Sequence, residues 1–203
     1  RDLLIVNPQL ATVRRKGDGT SFTAEHKERL KHLSVPLVIL AQRLDGYSCV
    51  YSDDYHASLD LTSRLAKTGH IFGYISAESR DEAVGRNRKK GFDDGLSQAG
   101  QEHAPRYYAE AAFSMESGYQ MTKKLFTDHP DIDTLLCATD TIASGALRYF
   151  HEQEIPVPEQ VQIAGFGDSS IARATTPTLT TAHFFYEEAG SEAGKILLDM
   201  MQE

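Results

Sequence analysis

Seven short apolar runs punctuate the chain, at Leu3–Val6, Pro36–Leu40, Cys49–Ser52, Ile71–Ser76, Thr134–Ala138, Val161–Phe166 and Leu179–Ala182. Arg106–Tyr108 is a weaker eighth. The runs are continuous rather than alternating, the pattern of strands covered by helices on both faces. Between them lie stretches with helical spacing near 24–33, 55–68, 81–99, 114–128, 141–153 and 186–201. Strands alternating with helices of this length predict βαβ units and a mostly parallel sheet. Thr23 is a cap candidate for the first helix, with Glu25 in its opening turn. Gly69 is placed to stop the helix over 55–68. The polar, glycine-containing stretch Thr12–Ser21 is expected to be a mobile loop.

Residues 54–182 hold five βα steps, enough for a complete doubly wound domain. Residues 1–53 offer three strand candidates and one helix, which cannot cover a sheet unaided. The final helix has to pack somewhere, so 183–203 is assigned to the same body. The expected architecture is therefore a two-lobed α/β fold of doubly wound parallel sheets. Its N-terminal lobe (1–53 plus 183–203) is discontinuous and incomplete, and its C-terminal lobe spans 54–182. The absence of an initiating Met suggests a processed form or a piece of a longer chain.

Composition narrows the function. The 203 residues carry 21 Lys+Arg against 29 Asp+Glu, a net charge of -8, which repels a phosphate backbone. No apolar run approaches the roughly 18 residues needed to span a bilayer. Cys49 and Cys137 lie within apolar runs, lack metal-ligand spacing, and are expected to be buried, reduced thiols of a cytoplasmic protein. No HExxH, GxSxG, GxxxxGK[ST] or GxGxxG motif is present. Neither a catalytic residue, a metal nor a cofactor is expected.

Ligands of open parallel sheets bind beyond the carboxyl ends of the strands. The polar residues there are Gln42 and Arg43, Asp53 and Asp54, Ser76 to Glu78, Thr139 and Asp140, and Gly167 to Ser169. Thr139, Asp140 and Ser169 are also good helix caps, and Asp53 and Asp54 suit a cap and a dipole partner. Arg88 is more informative. It shares a four-residue spacing with Val84, Phe92 and Leu96, so it lies on the buried face of its helix. A guanidinium there needs a partner. Either it forms an internal salt bridge, or it is a fork aimed at ligand hydroxyls or a carboxylate. Phe113, Phe184, Phe185 and Tyr186 are aromatic wall candidates, with core packing as the alternative. On the ligand reading, truncating Arg88 abolishes binding and leaves the fold intact.

Two segments resemble the lactose/galactose-type bacterial transcription repressors. One runs from Thr134 to Gly194 and includes Thr139-Asp140, Ala143-Ser-Gly-Ala-Leu147, Pro158-Glu159, Gly165-Phe-Gly167 and Pro177-Thr-Leu-Thr-Thr181. The other is Ser52-Asp-Asp-Tyr55 through Ser76, followed by Arg88-Lys-Lys-Gly-Phe92. Ser52–Tyr55, Gly165–Gly167 and Tyr186-Glu-Glu-Ala-Gly190 look most like the sucrose and trehalose operon repressors. The resemblance implies the effector-binding, dimerising core of a regulator with a periplasmic-binding-protein-like fold. A small sugar or sugar phosphate would bind between the lobes, and a headpiece absent from this chain would bind operator DNA. It carries ligand roles onto Arg88, Phe113, Thr139, Asp140, Asp168, Tyr186, Gln42 and Asp54. Phe113 stands where lactose-type members place a stacking tryptophan. Thr139 replaces the usual Asn, and Gly167 replaces the usual ligand-binding Asp, leaving Asp168 next to it. A transport-linked sugar-binding protein of the same fold is the alternative, and an enzyme on a doubly wound sheet is a third.

Overall fold

The structure, a computed structural model, describes residues 4–6, 24–77 and 81–202. Thr23 and the expected loop Thr12–Ser21 lie outside them. The chain divides into two units: residues 1–52, 80–82 and 185–203 form one, and residues 53–79 and 83–184 the other.

The first unit holds three parallel strands in the order β1 (Leu4–Val6), β2 (Leu37–Leu40), β3 (Ser48–Val50). Two helices accompany them, α1 (Ala24–Lys31) and α7 (Tyr186–Gln202). Side chains alternate across a strand, and β2 uses both faces. Leu37 and Ile39 pack with Leu30 of α1 and with Leu44, whereas Val38 packs with Ala193 and Leu197 of α7. That two-sided burial explains the unbroken apolar run at this point of the sequence.

The second unit is built on a five-stranded, all-parallel sheet. Its elements are α2 (Asp54–Leu65), β4 (Phe72–Ser76), a π-helical turn (Glu82–Asn87), α3 (Arg88–Gln98) and β5 (Arg106–Glu110). They continue with α4 (Met115–Asp128), β6 (Thr134–Cys137), α5 (Asp140–Glu152), β7 (Gln162–Gly167), α6 (Ser170–Ala174) and β8 (Thr180–His183). The order across the sheet is β5-β4-β6-β7-β8. Chain direction across the sheet therefore reverses between β4 and β6, and this switch point is where such sheets open a crevice at their carboxyl ends. Phe72, Tyr74, Ile75, Leu135 and Leu136 on the central strands are fully buried with Phe92, Leu96, Ile142 and Phe150 from the helices.

Helix α3 lies unusually close to α2. A Cβ on Gly91 would come within 2.3 Å of the Tyr55 carbonyl oxygen and 2.8 Å of Ser58 Cβ. Glycine is required there by backbone approach, not by dihedral angle.

The fold class is as expected, with local differences. Gly69 is not a left-handed helix stop. Helix α2 ends at Leu65, and Gly69 is small because a Cβ would strike Thr134 Oγ1 at 2.2 Å. The helix expected over 81–99 is a π-helical turn leading into α3, and α6 was not anticipated. Cys49 and Cys137 are both free thiols, Cys137 buried but Cys49 only half-buried. No helix among the described residues is long and apolar enough to cross a membrane.

Candidate functional site

Arg88 opens α3 directly after the π-helical turn that follows β4. Val84, Arg88, Phe92 and Leu96 are all buried, as their common spacing predicts. The guanidinium meets the carboxylate that an internal salt bridge calls for. Nε donates to Asp54 Oδ1 at 2.7 Å, and Nη2 lies 2.6 Å from the same oxygen. Nη1 donates to the Ala138 carbonyl at 2.5 Å, just past β6. The side chains of Arg88 and Asp54 are 9% and 7% exposed.

Local structure explains why the pair meets. Asp53 caps α2 by accepting from the His56 N–H at 3.0 Å, which puts Asp54 in the first helical turn, where a negative charge is favoured. Bonds from the His56 backbone and ring hold the Asp53 carboxyl below the usual carboxylate range. Ser58 Oγ donates to the Arg88 carbonyl at 2.6 Å, and Gly91 lets α3 approach closely enough for that bond. The guanidinium carbon lies 4.8 Å from the ring centres of both Phe166 and Phe184, the last residues but one of β7 and just past β8. Those two near-parallel rings form an apolar floor that also attracts a cation. Burial pushes the nearby Tyr74 phenol above its usual range, with the Arg88 charge opposing the shift.

The fork is not saturated. A guanidinium has five N–H donors. Two of them donate hydrogen bonds, to Asp54 and Ala138, and Nη2 makes an ion contact with the same Asp54 oxygen. One N–H on each Nη, together with Asp54 Oδ2, has no partner among the described residues. Donors and an acceptor therefore stand side by side at the switch point over an aromatic floor. That combination can grip neighbouring hydroxyls, each of which both donates and accepts.

The other candidates divide. Thr139 caps α5, its side chain accepting from the Ile142 N–H at 3.2 Å. Asp140 is buried and saturated: Thr181 Oγ1 donates to Oδ1 at 2.6 Å, while Ser169 N and Oγ each donate to Oδ2 at 2.9 Å. It ties the β7–α6 connection to β8. Ser169 consequently does not cap α6 with its side chain. Asp168 has φ +45° and contacts His183 Nδ1 at 2.8 Å and Arg173 Nη1 at 3.5 Å. Gly167 has φ +134°, and a Cβ there would meet Asp140 Oδ2 at 3.1 Å, so a side chain is unwelcome at this position. Ser76 Oγ is engaged with the Gly85 carbonyl, and Glu78 lies outside the described residues. Phe113 is exposed ahead of α4. Gln42 and Tyr186 belong to the first unit, Gln42 half-buried after β2 and Tyr186 exposed at the start of α7. The sequence did not single out Phe166 or Ser58, because nothing in their local pattern signals a contact with Arg88. Among the described residues, no group of three or more His, Cys, Asp or Glu could hold a metal ion.

This geometry is that of a doubly wound α/β domain with a polar fork at its switch point. Residues 62–203 match the periplasmic binding protein-like domain family. The chain belongs to that family, on the branch of the LacI-family transcription regulators. It is 32% identical over 184 residues to the HTH-type transcriptional regulator TreR of Escherichia coli K12, covering 89% of this chain and 56% of that protein. It is 27% identical over 195 residues to the sucrose operon repressor of Staphylococcus xylosus, covering 93% and 60%. The solved complex of the regulator CelR with cellobiose superposes with a TM-score of 0.78 at 25% identity, over 87% of this chain and 55% of that one. The chain thus spans a little over half the length of these relatives.

Proposed function

We propose that this chain is the effector-binding core of a sugar-responsive transcriptional repressor. A small sugar binds at the carboxyl ends of the β4–β8 sheet, where the two remaining Arg88 N–H groups and Asp54 Oδ2 engage adjacent hydroxyls. Phe166 and Phe184 fix the plane of the fork from below. Phe113 and Asp168 supply a further wall and a polar contact. Thr139 and Asp140 act indirectly, by holding α5 and the β7–α6 connection in place. The core works as a homodimer and passes the sugar signal to operator DNA through a separate headpiece, in the cytoplasm. The regulator relatives, one of them solved with a neutral disaccharide, support this over a transport role.

The observation that carries the reading is the unsaturated, more than nine-tenths buried Arg88–Asp54 pair at the switch point. A thermal-shift panel of sucrose, fructose, trehalose and cellobiose, each beside its 6-phosphate, tests it. A ligand that prefers the folded state raises the Tm, so one member of the panel is expected to do so in a dose-dependent way. A flat panel contradicts the reading.

A further inference from the structure

Strand β5 stands at one end of the five-stranded sheet, beside β4. Two bonds fix which of its backbone groups turn inward: Phe72 N–H donates to the Pro105 carbonyl and Ala111 N–H to the Ser76 carbonyl, each at 2.9 Å. Backbone groups alternate in direction along a strand. Tyr107 and Ala109 therefore bond toward β4, while Arg106, Tyr108 and Glu110 turn their N–H and C=O groups outward. That outer edge meets solvent, with Tyr108 41% exposed and Glu110 exposed. Such edges are templates for another strand unless like charges, a proline or a bulge guard them. Within Arg106–Glu110 there is no proline, the register with β4 runs unbroken, and one charge of each sign is present.

The strand Arg-Tyr-Tyr-Ala-Glu is self-complementary about Tyr108. Laid antiparallel on a second copy, Tyr108 faces Tyr108, Arg106 faces Glu110 and Tyr107 faces Ala109. All three outward-turned residues then fall in pairs that exchange two N–H···O bonds each. The end pairs join opposite charges and the centre joins two aromatic rings, both stabilising across strands. Existing contacts on this face leave room for them. Arg106 donates to the Glu102 carbonyl and lies 3.6 Å from Asp93, but a guanidinium has five donors. Glu110 has interactions of its own, but a carboxylate accepts from several donors. The Tyr108 hydroxyl is bonded to Asp93 and Lys89 Nζ sits 4.1 Å over its ring, so that side chain is ordered before a partner arrives.

We infer that β5 is the edge through which two copies of this chain associate, their sheets joined across a two-fold axis. The inference rests on the homodimer of the reading above and names its surface; it needs no sugar.

Sedimentation equilibrium of the 203-residue chain, with amide exchange over the same concentrations, tests it. The dimer fraction is expected to rise with concentration, and exchange of the Tyr108 N–H to slow in step with it. Arg106→Glu and Glu110→Arg each set like charges across the seam, and each is expected to raise the dimer Kd roughly tenfold or more. Mixing the two variants restores opposite charges at both ends, so a heterodimer of wild-type affinity is expected. A monomer at every concentration overturns the inference and the homodimer together. A dimer that tolerates both reversals, or that leaves Tyr108 exchange unchanged, overturns the inference and leaves the homodimer standing; should Arg106→Glu not fold, Glu110→Arg and the wild-type exchange decide.

Discussion

The Arg88–Asp54 pair makes a sharp prediction about stability. Both side chains are more than nine-tenths buried, and their two N–H contacts to one oxygen measure 2.6 and 2.7 Å. Arg88→Met removes those contacts and the bond to Ala138, leaving a buried carboxylate with no cation. Breaking a buried pair from one side costs about 3–5 kcal/mol, and Asp54→Leu should cost a similar amount by stranding the guanidinium. That is a large share of the roughly 5–15 kcal/mol that holds an average domain together. The double variant Arg88→Met/Asp54→Leu replaces both ions by apolar groups and strands neither. It should lie within about 2 kcal/mol of the parent, since such swaps are often neutral or stabilising. The coupling from the cycle should then exceed about 3 kcal/mol. Urea unfolding of the four proteins, with equal m-values, provides the four free energies. A coupling below about 1 kcal/mol is what a solvent-exposed pair gives, and would refute the burial argument. The cycle also changes what Arg88→Ala can show. From the sequence, that variant was expected to lose ligand and keep its fold; in the structure it loses a stabilising ion pair as well. The double variant, folded but without a fork, is the cleaner probe of binding.

Thr139→Ala removes the hydroxyl that accepts from the Ile142 N–H and should cost about 1 kcal/mol in urea unfolding, with Thr139→Ser recovering most of it. Gly91→Ala drives a Cβ to 2.3 Å from the Tyr55 carbonyl, so α3 has to move away from α2; a loss of about 1–3 kcal/mol is expected, and an unchanged midpoint would contradict the close crossing. Burial raises the Cys137 thiol well above its ordinary range, which suppresses the thiolate; mass-spectrometric labelling at neutral pH should modify half-buried Cys49 first, and fast labelling of Cys137 in the folded protein would contradict its burial. The Asp94 carboxyl is held below its ordinary range by bonds from Lys90 and Tyr55, so its small contribution to stability is present above the unfolded pKa and fades as pH falls through the folded one; Asp94→Asn should flatten that part of the acid stability profile.

How much of this was legible beforehand follows from which interactions are local. Continuous apolar runs marked β2, β4, β6 and β7 because each is covered on both faces. β5 was faint because it is a sheet edge, with Arg106, Tyr107 and Ala109 only half-buried and Tyr108 exposed. The five residues of α6 are too few for a periodic signal. The buried placement of Arg88 was readable from a four-residue spacing, whereas its bond to Asp54 spans 34 positions and depends on a helix crossing set by Gly91. Asp140 looked like an open polar group because its three donors come from Ser169 and Thr181, 29 and 41 positions away. Spacing reports a residue's own element; who meets it across the sheet is decided by packing.

On the proposed function, the free edge of the Arg88 fork touches the sugar. Arg88 Nε–H, assigned by its loss in the double variant, can be followed by 15N NMR while the Tm-raising sugar is titrated. That signal is expected to shift and saturate with the same Kd as calorimetry, while a side chain such as His129, stacked on Tyr107, stays unmoved. A sugar that binds with full affinity and leaves the Arg88 signal in place would contradict it.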